Sequence, residues 1–485
     1  MEQTKVKAGA QISRRAFIQS AVILLVLMVA AGVATRWVPA GRYARVLEGG
    51  REVIDPATFE QVARPDYPIW RWFVAPVEVL GSADGLALGA IILFILMVGG
   101  AFAVLERCGI LKAVILRLVR LFGGRKYRLL LVVSLFFMAL GGFFGIFEEV
   151  VPLIPLMLAL SYYLGWDTLV GLGMSILATN VGFSAAVTNP FTIGVAQQLA
   201  GLPLFSGAWL RLLIFAVMYG IFAVFLVNYA RRVERHPESS PVFAGEQAER
   251  ARYQPLDVTA LEASPALGAA LRWFLVFLVL ILAVLVSVPF VPALSQFALP
   301  LLGVLFLSAG LGAGRLSGFS WQAVGAALWE GVVGIAPGVI LILMAASVKH
   351  IVVSGGIMDT LLHDASGVMA GTGPFGAALL IYVTALFIEL FISSGSAKAF
   401  LILPILLPLA DLAGVTRQVA VLAYCFGDGF SNLAYPTNPV LLISLGMTTV
   451  SYPKWLRWLL RLWIWVILAS VAFLGLAVAL HYGPF

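Results

Sequence analysis

The sequence predicts an all-α polytopic membrane protein built from two inverted-topology repeats, each with a re-entrant helical hairpin and an unwound transmembrane helix. Three observations carry this prediction. Of 485 residues, 61% are hydrophobic and only 11% charged, with a mean hydropathy of +1.01; lipid can take up that much apolar surface, a soluble core cannot. The chain also writes one pattern twice: Gly182-Phe183-Ser184 leads to Thr188-Asn189-Pro190, and Gly429-Phe430-Ser431 leads to Thr437-Asn438-Pro439. Finally, equivalent segments of the two halves differ in charge: 106–128 is heavily basic, whereas 353–373 has no Lys or Arg.

Four landmarks fix the repeat. Thr-Asn-Pro recurs at a shift of 249, as does Pro155 onto Pro404. At a shift of 247, Gly109-Ile110 falls on Gly356-Ile357 and Gly-Phe-Ser falls on its copy. One order at nearly one spacing means two homologous halves.

In chain order, Lys5, Lys7, Arg14 and Arg15 precede an apolar run to about Ala34, which reads as a first span with a cytoplasmic start. Ser13-Arg14-Arg15-Ala16-Phe17 superficially matches a twin-arginine signal, but the many spans that follow favour a retained helix. Residues 37–81, with Pro39, Pro56, Pro65 and Pro68, read as an extracytoplasmic loop. A span near 83–105 leads into the basic stretch 106–128, an amphipathic helix at the cytoplasmic face. Two interrupted apolar stretches follow: the hairpin, about 142–162, and the broken helix, about 167–200. A clean span near 207–228 closes the first half, 1–228, ahead of Arg231, Arg232 and Arg235.

Residues 229–270 are polar and read as a cytoplasmic linker. The second half, 271–485, has spans near 271–290, 296–313 and 330–352, a hairpin about 393–411, a broken helix about 416–448 and a last span near 457–480. Three spans precede its shared core against two in the first half, which inverts the second copy. The expected location is the cell inner membrane, multi-pass, with a cytoplasmic N-terminus. The tryptophans, including Trp209, Trp273, Trp321 and Trp455, read as interface anchors in the lipid bilayer.

Composition also excludes functions. The net charge of +7 gathers near span ends and suits membrane anchoring rather than nucleic acid. Cys108 and Cys425 are too few for a disulfide framework or a zinc site. The sequence has no Walker motif, nucleophile elbow or metal-ligand cluster, which argues against an ATP-driven pump and against an enzyme. No cofactor is expected beyond a coupling Na⁺ or H⁺.

The chemistry should sit where the apolar runs break. Unpaired backbone groups in lipid cost several kcal/mol each, so a hairpin tip must be buried in protein or line water. The second tip reads Ser393-Ser394-Gly395-Ser396-Ala397-Lys398, whose hydroxyls and carbonyls suit a dehydrated cation and whose amides suit a carboxylate. Proline after Asn189 and Asn438 disfavours helix at those residues, and the dipoles of the flanking helices point at the breaks. Glu148, Glu149, Glu389, Lys398 and Asp428 lie in or beside apolar spans, where a charge costs at least ~2.5 kcal/mol at the helix centre. Lys398 is read as meeting a substrate carboxylate or replacing a coupling cation, with Glu148, Glu149 and Asp428 binding a cation or proton. Glu389 reads as a local cap or ion-pair partner.

These stretches resemble the C4-dicarboxylate anaerobic carrier family, in particular its YfcC-like branch, within the ion transporter superfamily. The likeness rests on Gly-Gly-Phe-Phe-Gly-Ile-Phe-Glu-Glu at 141–149, Thr-Asn-Pro at 188–190, Ser-Ser-Gly-Ser-Ala-Lys-Ala at 393–399 and Gly-Asp-Gly-Phe-Ser-Asn at 427–432. The resemblance implies a homodimer in which a transport domain moves as an elevator against a scaffold. It also implies a substrate site formed by Ser184, Thr188, Asn189, Ser394, Ser396, Lys398, Asn432 and Asn438. Glu148, Glu149, Asn180 and Asp428 would serve ion coupling, with Asn189 and Asn438 as candidate Na⁺ ligands. Sodium-dicarboxylate carriers of the superfamily carry Ser-Asn-Thr in each hairpin; the first tip here has Glu-Glu instead.

The expected function is therefore secondary active transport of a small organic anion or zwitterion, a C4-dicarboxylate or an amino acid or peptide, ion-coupled or by exchange. An acidic tip in one half and a lysine in the other suit a zwitterion. The alternatives are a membrane-embedded enzyme on a lipid-linked substrate, which needs a nucleophile or metal constellation, and a passive anion channel, which needs a continuous polar lining.

Overall fold

The computed structural model describes residues 14–48, 51–122, 124–252, 265–287, 291–368 and 371–483. Ten helices among these are long and apolar enough to cross a membrane. Helix α1 (Arg14–Trp37) leads into a loop with two small antiparallel ribbons, Gly41–Arg42 with Glu60–Gln61 and Arg45–Glu48 with Arg51–Ile54. Next come α2 (Trp70–Glu78), α3 (Gly85–Arg107) and α4 (Ile110–Leu121). α5 (Lys126–Ala139) continues as a π turn over Leu140–Phe144, and the chain returns through Glu148–Leu153 into α6 (Ile154–Tyr163). α7 (Thr168–Leu172) runs through a π segment into α8 (Ala178–Ala185); after a break the same path resumes and ends in α9 (Val195–Leu199). α10 (Ala208–Arg235) and α11 (Phe243–Arg252) complete the first half.

In the second half, α12 (Pro265–Ser287) and α13 (Pro292–Leu316) lead to the long α14 (Trp321–Ser354), which Ser320 caps by accepting from Ala323 N at 3.2 Å. The remaining helices are α15 (Met358–Gly367), α16 (Pro374–Ile388), α17 (Gly395–Leu412), α18 (Arg417–Gly429), α19 (Pro439–Gly446) and α20 (Tyr452–Ala479). The order α3–α4–α5/α6–α7/α8/α9–α10 thus recurs as α14–α15–α16/α17–α18/α19–α20. Helices α13 and α14 pack along α3, and α12 lies on α13. α18 crosses α8 and packs on α16.

The two hairpins open toward opposite ends of α10, a helix of 28 residues and therefore about 42 Å long. At the α10 C-terminus, Lys126 Nζ lies 2.6 Å from Glu234, and the Tyr229 hydroxyl donates to Asp167 at 2.5 Å. Both limbs of the first hairpin therefore start and finish there, beside the linker, where Glu246 accepts from Thr168 N at 3.1 Å. At the α10 N-terminus, the Tyr482 hydroxyl donates to Gly207 O, Thr416 Oγ1 to Tyr482 O and Arg417 Nη1 to Ala200 O. Pro374 and Gly414, the outer ends of the second hairpin, lie side by side.

Some readings of the sequence need adjusting. Only Lys112, Arg117 and Arg120 of the basic stretch lie on the short α4; Lys126 and Arg128 open the first hairpin limb. Trp455 is no interface anchor, being fully buried, whereas Trp209 and Trp321 are exposed. Residues 253–264 of the linker lie outside the described residues, as do Lys5 and Lys7.

Close backbone approach holds the core together. A Cβ at Gly182 would fall 1.8 Å from Met138 O, and one at Gly429 would fall 2.5 Å from Ser184. The duplicated Gly-Phe-Ser motifs therefore touch each other, and Gly182 seats the first broken helix on the first hairpin. Gly182→Ala is expected to destabilise the protein by about 1–3 kcal/mol through overpacking. Gly220→Ala on α10, where a Cβ meets nothing within 4 Å, should instead gain about 0.5–1 kcal/mol. Thermal melts of the purified protein check both.

Candidate functional site

The site is built from two helix breaks and two hairpin tips. In the first break the helix stops at Ala186, in a left-handed conformation (φ 39), and restarts at Pro190. Asn189 caps the restart: its Oδ1 accepts from Phe191 N at 2.9 Å and Thr192 N at 3.2 Å. Asn438 does the same in the second break, accepting from Val440 N at 2.9 Å and Leu441 N at 3.4 Å. Asparagine followed by proline is a helix-start signal, because the side chain satisfies orphan donors and proline lacks the N–H that would need a partner. Each asparagine carbonyl thus has its acceptor capacity taken up by backbone.

The carbonyls freed by the breaks need donors, and the closing helix of each half supplies them. Arg211 on α10 is 1% exposed and donates to Val187 O of the first break at 3.1 Å, and also to Ser206 O and Phe205 O of the loop before its own helix, at 2.8 and 3.0 Å. From α20, Trp455 Nε1 donates to Leu433 O (2.7 Å), Tyr452 OH to Ala434 O (2.6 Å) and Trp463 Nε1 to Phe430 O (2.8 Å). Sequence reading passed over Arg211 and took Trp455 for a lipid anchor. The only signal available was position, since both residues lie on the last span of their half.

The two hairpin tips meet around a cavity of about 230 Å³. Gly145, Phe147, Glu148 and Glu149 wall it from the first tip, and Ser393, Ser394, Gly395 and Ser396 from the second. Phe183, Phe191 and Asn432 come from the broken helices, and Ala298 and Leu299 from α13. Gly145 has φ +69, and a Cβ there would strike Asn189 Oδ1 at 2.2 Å, so only glycine brings this tip against the break. Glu148 presents itself to the cavity, while Glu149 turns back to accept from Phe147 N at 3.1 Å. Opposite them is the N-terminus of α17, where Ser394 Oγ accepts from Ala397 N.

A second cavity of about 430 Å³ shares Glu148, Leu299, Ser393 and Ser394 with the first and reaches Asp84 and Lys349. A third, of about 650 Å³, shares Lys349, Ile392 and Ala397 with the second and extends to Arg42, Arg45 and Asp359. Together they trace a path from the tips to the end of the protein that carries the ribbon loop.

Behind the second tip, Lys398 contacts Glu389 and lies 2.9 Å from Asp428 Oδ1. All three side chains are fully buried, and none lines the cavity. A Cβ at Gly395 would fall 2.9 Å from Asp428 Oδ2, so this carboxylate sits directly under the tip. Removing one member of a buried ionic cluster strands the others. Lys398→Met is expected to cost about 3–5 kcal/mol, read as a lower melting temperature, and adding Asp428→Leu should recover part of the loss.

Of the sequence candidates, Glu148, Glu149, Ser394, Ser396 and Asn432 line the cavity. Asn432 Oδ1 also accepts from Asn438 Nδ2 at 2.9 Å, which ties the cavity wall to the second break. Thr188 Oγ1 donates to Phe143 O at 2.9 Å and Ser184 Oγ to Asn180 O at 2.7 Å, so both brace backbone. Asn180 is buried, and its Oδ1 has no hydrogen-bond partner among the described residues. Ser393, Phe147 and Leu299 are cavity residues that sequence reading did not select; Leu299 comes from a span with no local signal.

The model of the C4-dicarboxylate anaerobic carrier family, DcuC, matches residues 17–479. The Escherichia coli (strain K12) protein named "Putative basic amino acid antiporter YfcC" is 31% identical over 444 residues, covering 84% of each chain. An uncharacterized protein of Haemophilus influenzae (strain ATCC 51907 / DSM 11121 / KW20 / Rd) is 26% identical over 373 residues, 76% of this chain and 72% of its own. Among solved structures, the Alcanivorax borkumensis YdaH transporter aligns over 96% of this chain and 99% of its own, at 18% identity and a TM-score of 0.39. Neisseria gonorrhoeae MtrF, from a class of antimetabolite efflux pumps, aligns over 95% of both chains at 18% identity and a TM-score of 0.41. This chain is a multi-pass membrane protein and belongs to the C4-dicarboxylate anaerobic carrier family.

Proposed function

We propose that this protein is a secondary active transporter of a small amino acid bearing a net positive charge, held between the two hairpin tips. The observation that carries this reading is the charge of the cavity: among the described residues its wall holds two carboxylates, Glu148 and Glu149, and no Lys or Arg. Lys398, the cation that a dicarboxylate would need, is occupied by Glu389 and Asp428. Like charges about 4 Å apart repel by about 4 kcal/mol at an effective dielectric of 20, which disfavours a dianion there. A cationic side chain or α-ammonium would face Glu148 and Glu149. The solute's single carboxylate would face the N-terminus of α17, where unsatisfied N–H groups and the helix dipole favour an anion. The name of the relative YfcC points to the same class of solute.

The opposed hairpins and the cavity path to one end support alternating access between inverted repeats. The moving body would comprise the hairpins and broken helices, sliding as an elevator against α3, α13 and α14. Transport would be coupled to Na⁺ or H⁺, or would exchange one amino acid for another.

Thermal stability of the purified protein against arginine, lysine, alanine and succinate tests the reading. At a hundred times its Kd a ligand stabilises by about 2.7 kcal/mol. Arginine or lysine should raise the melting temperature, succinate should not, and Glu148→Gln together with Glu149→Gln should remove the shift. Stabilisation by succinate that survives in the Gln variants would overturn the assignment. Counterflow of radiolabelled arginine in liposomes then separates a carrier from a binding protein.

A further inference from the structure

We infer that the groove between α10 and α20 is a binding site for one anionic phospholipid of the surrounding bilayer. This site is separate from the transport cavity. The groove encloses about 550 Å³ and is walled by Val217, Ile221, Val224 and Phe225 of α10 with Trp458 and Trp465 of α20. Gly220, Asn228, Tyr229 and Arg232 of α10 and Arg461 of α20 complete the lining, with Arg232 toward the α10 C-terminus and Arg461 three residues beyond Trp458 along α20. Val224 and Trp465 are 62% and 61% exposed, so the described residues leave this face uncovered.

Length and charge both match a phospholipid. From Val217 to Asn228 the α10 wall rises about 16 Å, close to half the ~30 Å hydrocarbon core of a bilayer. The apolar part therefore spans about one leaflet, with Arg232 at headgroup level, while the long side chain of Arg461 leans toward the N-terminal end of α20 and hence toward that level. The acids of this end are engaged elsewhere: Glu234 with Lys126, Asp167 with Tyr229 and Ser240, Glu238 beside His236, and Glu246 with Thr168 N. Arg231 stacks over Tyr127 at 5.3 Å. Arg232 and Arg461 are exposed and have no carboxylate partner among the described residues. Two guanidiniums above an apolar slot complement a phosphate above an acyl chain.

A second copy of this chain suits the groove less well. A two-fold contact would bring these arginines against their own copies, and a concave apolar slot offers no ridge to fill its mate. The lipid would also bridge the closing helices of the two halves, because Trp458 of α20 packs on Phe225 and Tyr229 of α10.

Native mass spectrometry of the full chain released from micelles containing dioleoyl phosphatidylglycerol or dioleoyl phosphatidylcholine tests this. One phosphatidylglycerol per chain should be retained in preference to phosphatidylcholine. Arg232→Gln and Arg461→Gln should each weaken retention about fivefold, and together about thirtyfold, from the usual contribution of a basic residue at an anionic surface. Both residues are exposed, so the variants should fold, and an unchanged melting temperature in a zwitterionic detergent checks that. Equal retention of the two lipids, or phosphatidylglycerol retained in the double variant, overturns the proposal. A change in oligomeric mass in Trp465→Ala also overturns it and gives the face to a second copy of the chain.

Discussion

The constraint on which the rest of this structure depends is the pairing of backbone groups where two membrane-spanning helices stop halfway. Each unpaired group in a lipid environment costs several kcal/mol, and a break frees several at once. The protein meets this cost from both sides of each gap. Asn189 and Asn438 take up the donors of the restarting helices, whereas Arg211 in one half, and Trp455, Tyr452 and Trp463 in the other, take up the stranded carbonyls. α10 and α20 are therefore as much a part of the site as the loops they brace.

With the breaks satisfied, the hairpin tips can meet in the interior. Gly145 lets the first tip lie against Asn189, and Gly395 lets the second lie over Asp428. The cavity between them carries its ionisable groups on one tip and a helix N-terminus on the other, so one wall is acidic and the opposite wall carries the positive end of a helix dipole. The Glu389–Lys398–Asp428 cluster lies fully buried behind the second tip, and none of its members lines the cavity. Its proximity to Gly395 places charge where it bears on the tip's position.

Much of this was legible in the sequence. The duplicated Gly-Phe-Ser and Thr-Asn-Pro motifs located both breaks, because glycine, asparagine and proline inside an apolar run have few structural uses other than interrupting a helix. Charges in apolar spans located the tips, since their cost in lipid forces them to cluster. Hairpin limbs were harder. The limb opening at Lys126 was hidden in a basic stretch that reads equally well as a surface helix, and α16 carries too little polarity to announce a tip after it.

The sequence by itself determined the membrane class, the two-fold repetition and the positions at which helices break, because each follows from hydropathy or from local backbone chemistry. Only the tertiary structure decided which charges face the cavity and which neutralise one another. Glu149 and Lys398 stand at equivalent places in the repeat, yet one lines the cavity and the other is shut behind it. The difference comes from Asp428 and Glu389, brought to Lys398 by the packing of α16, α17 and α18, and ion pairing across helices leaves no trace in the spacing of residues along a chain.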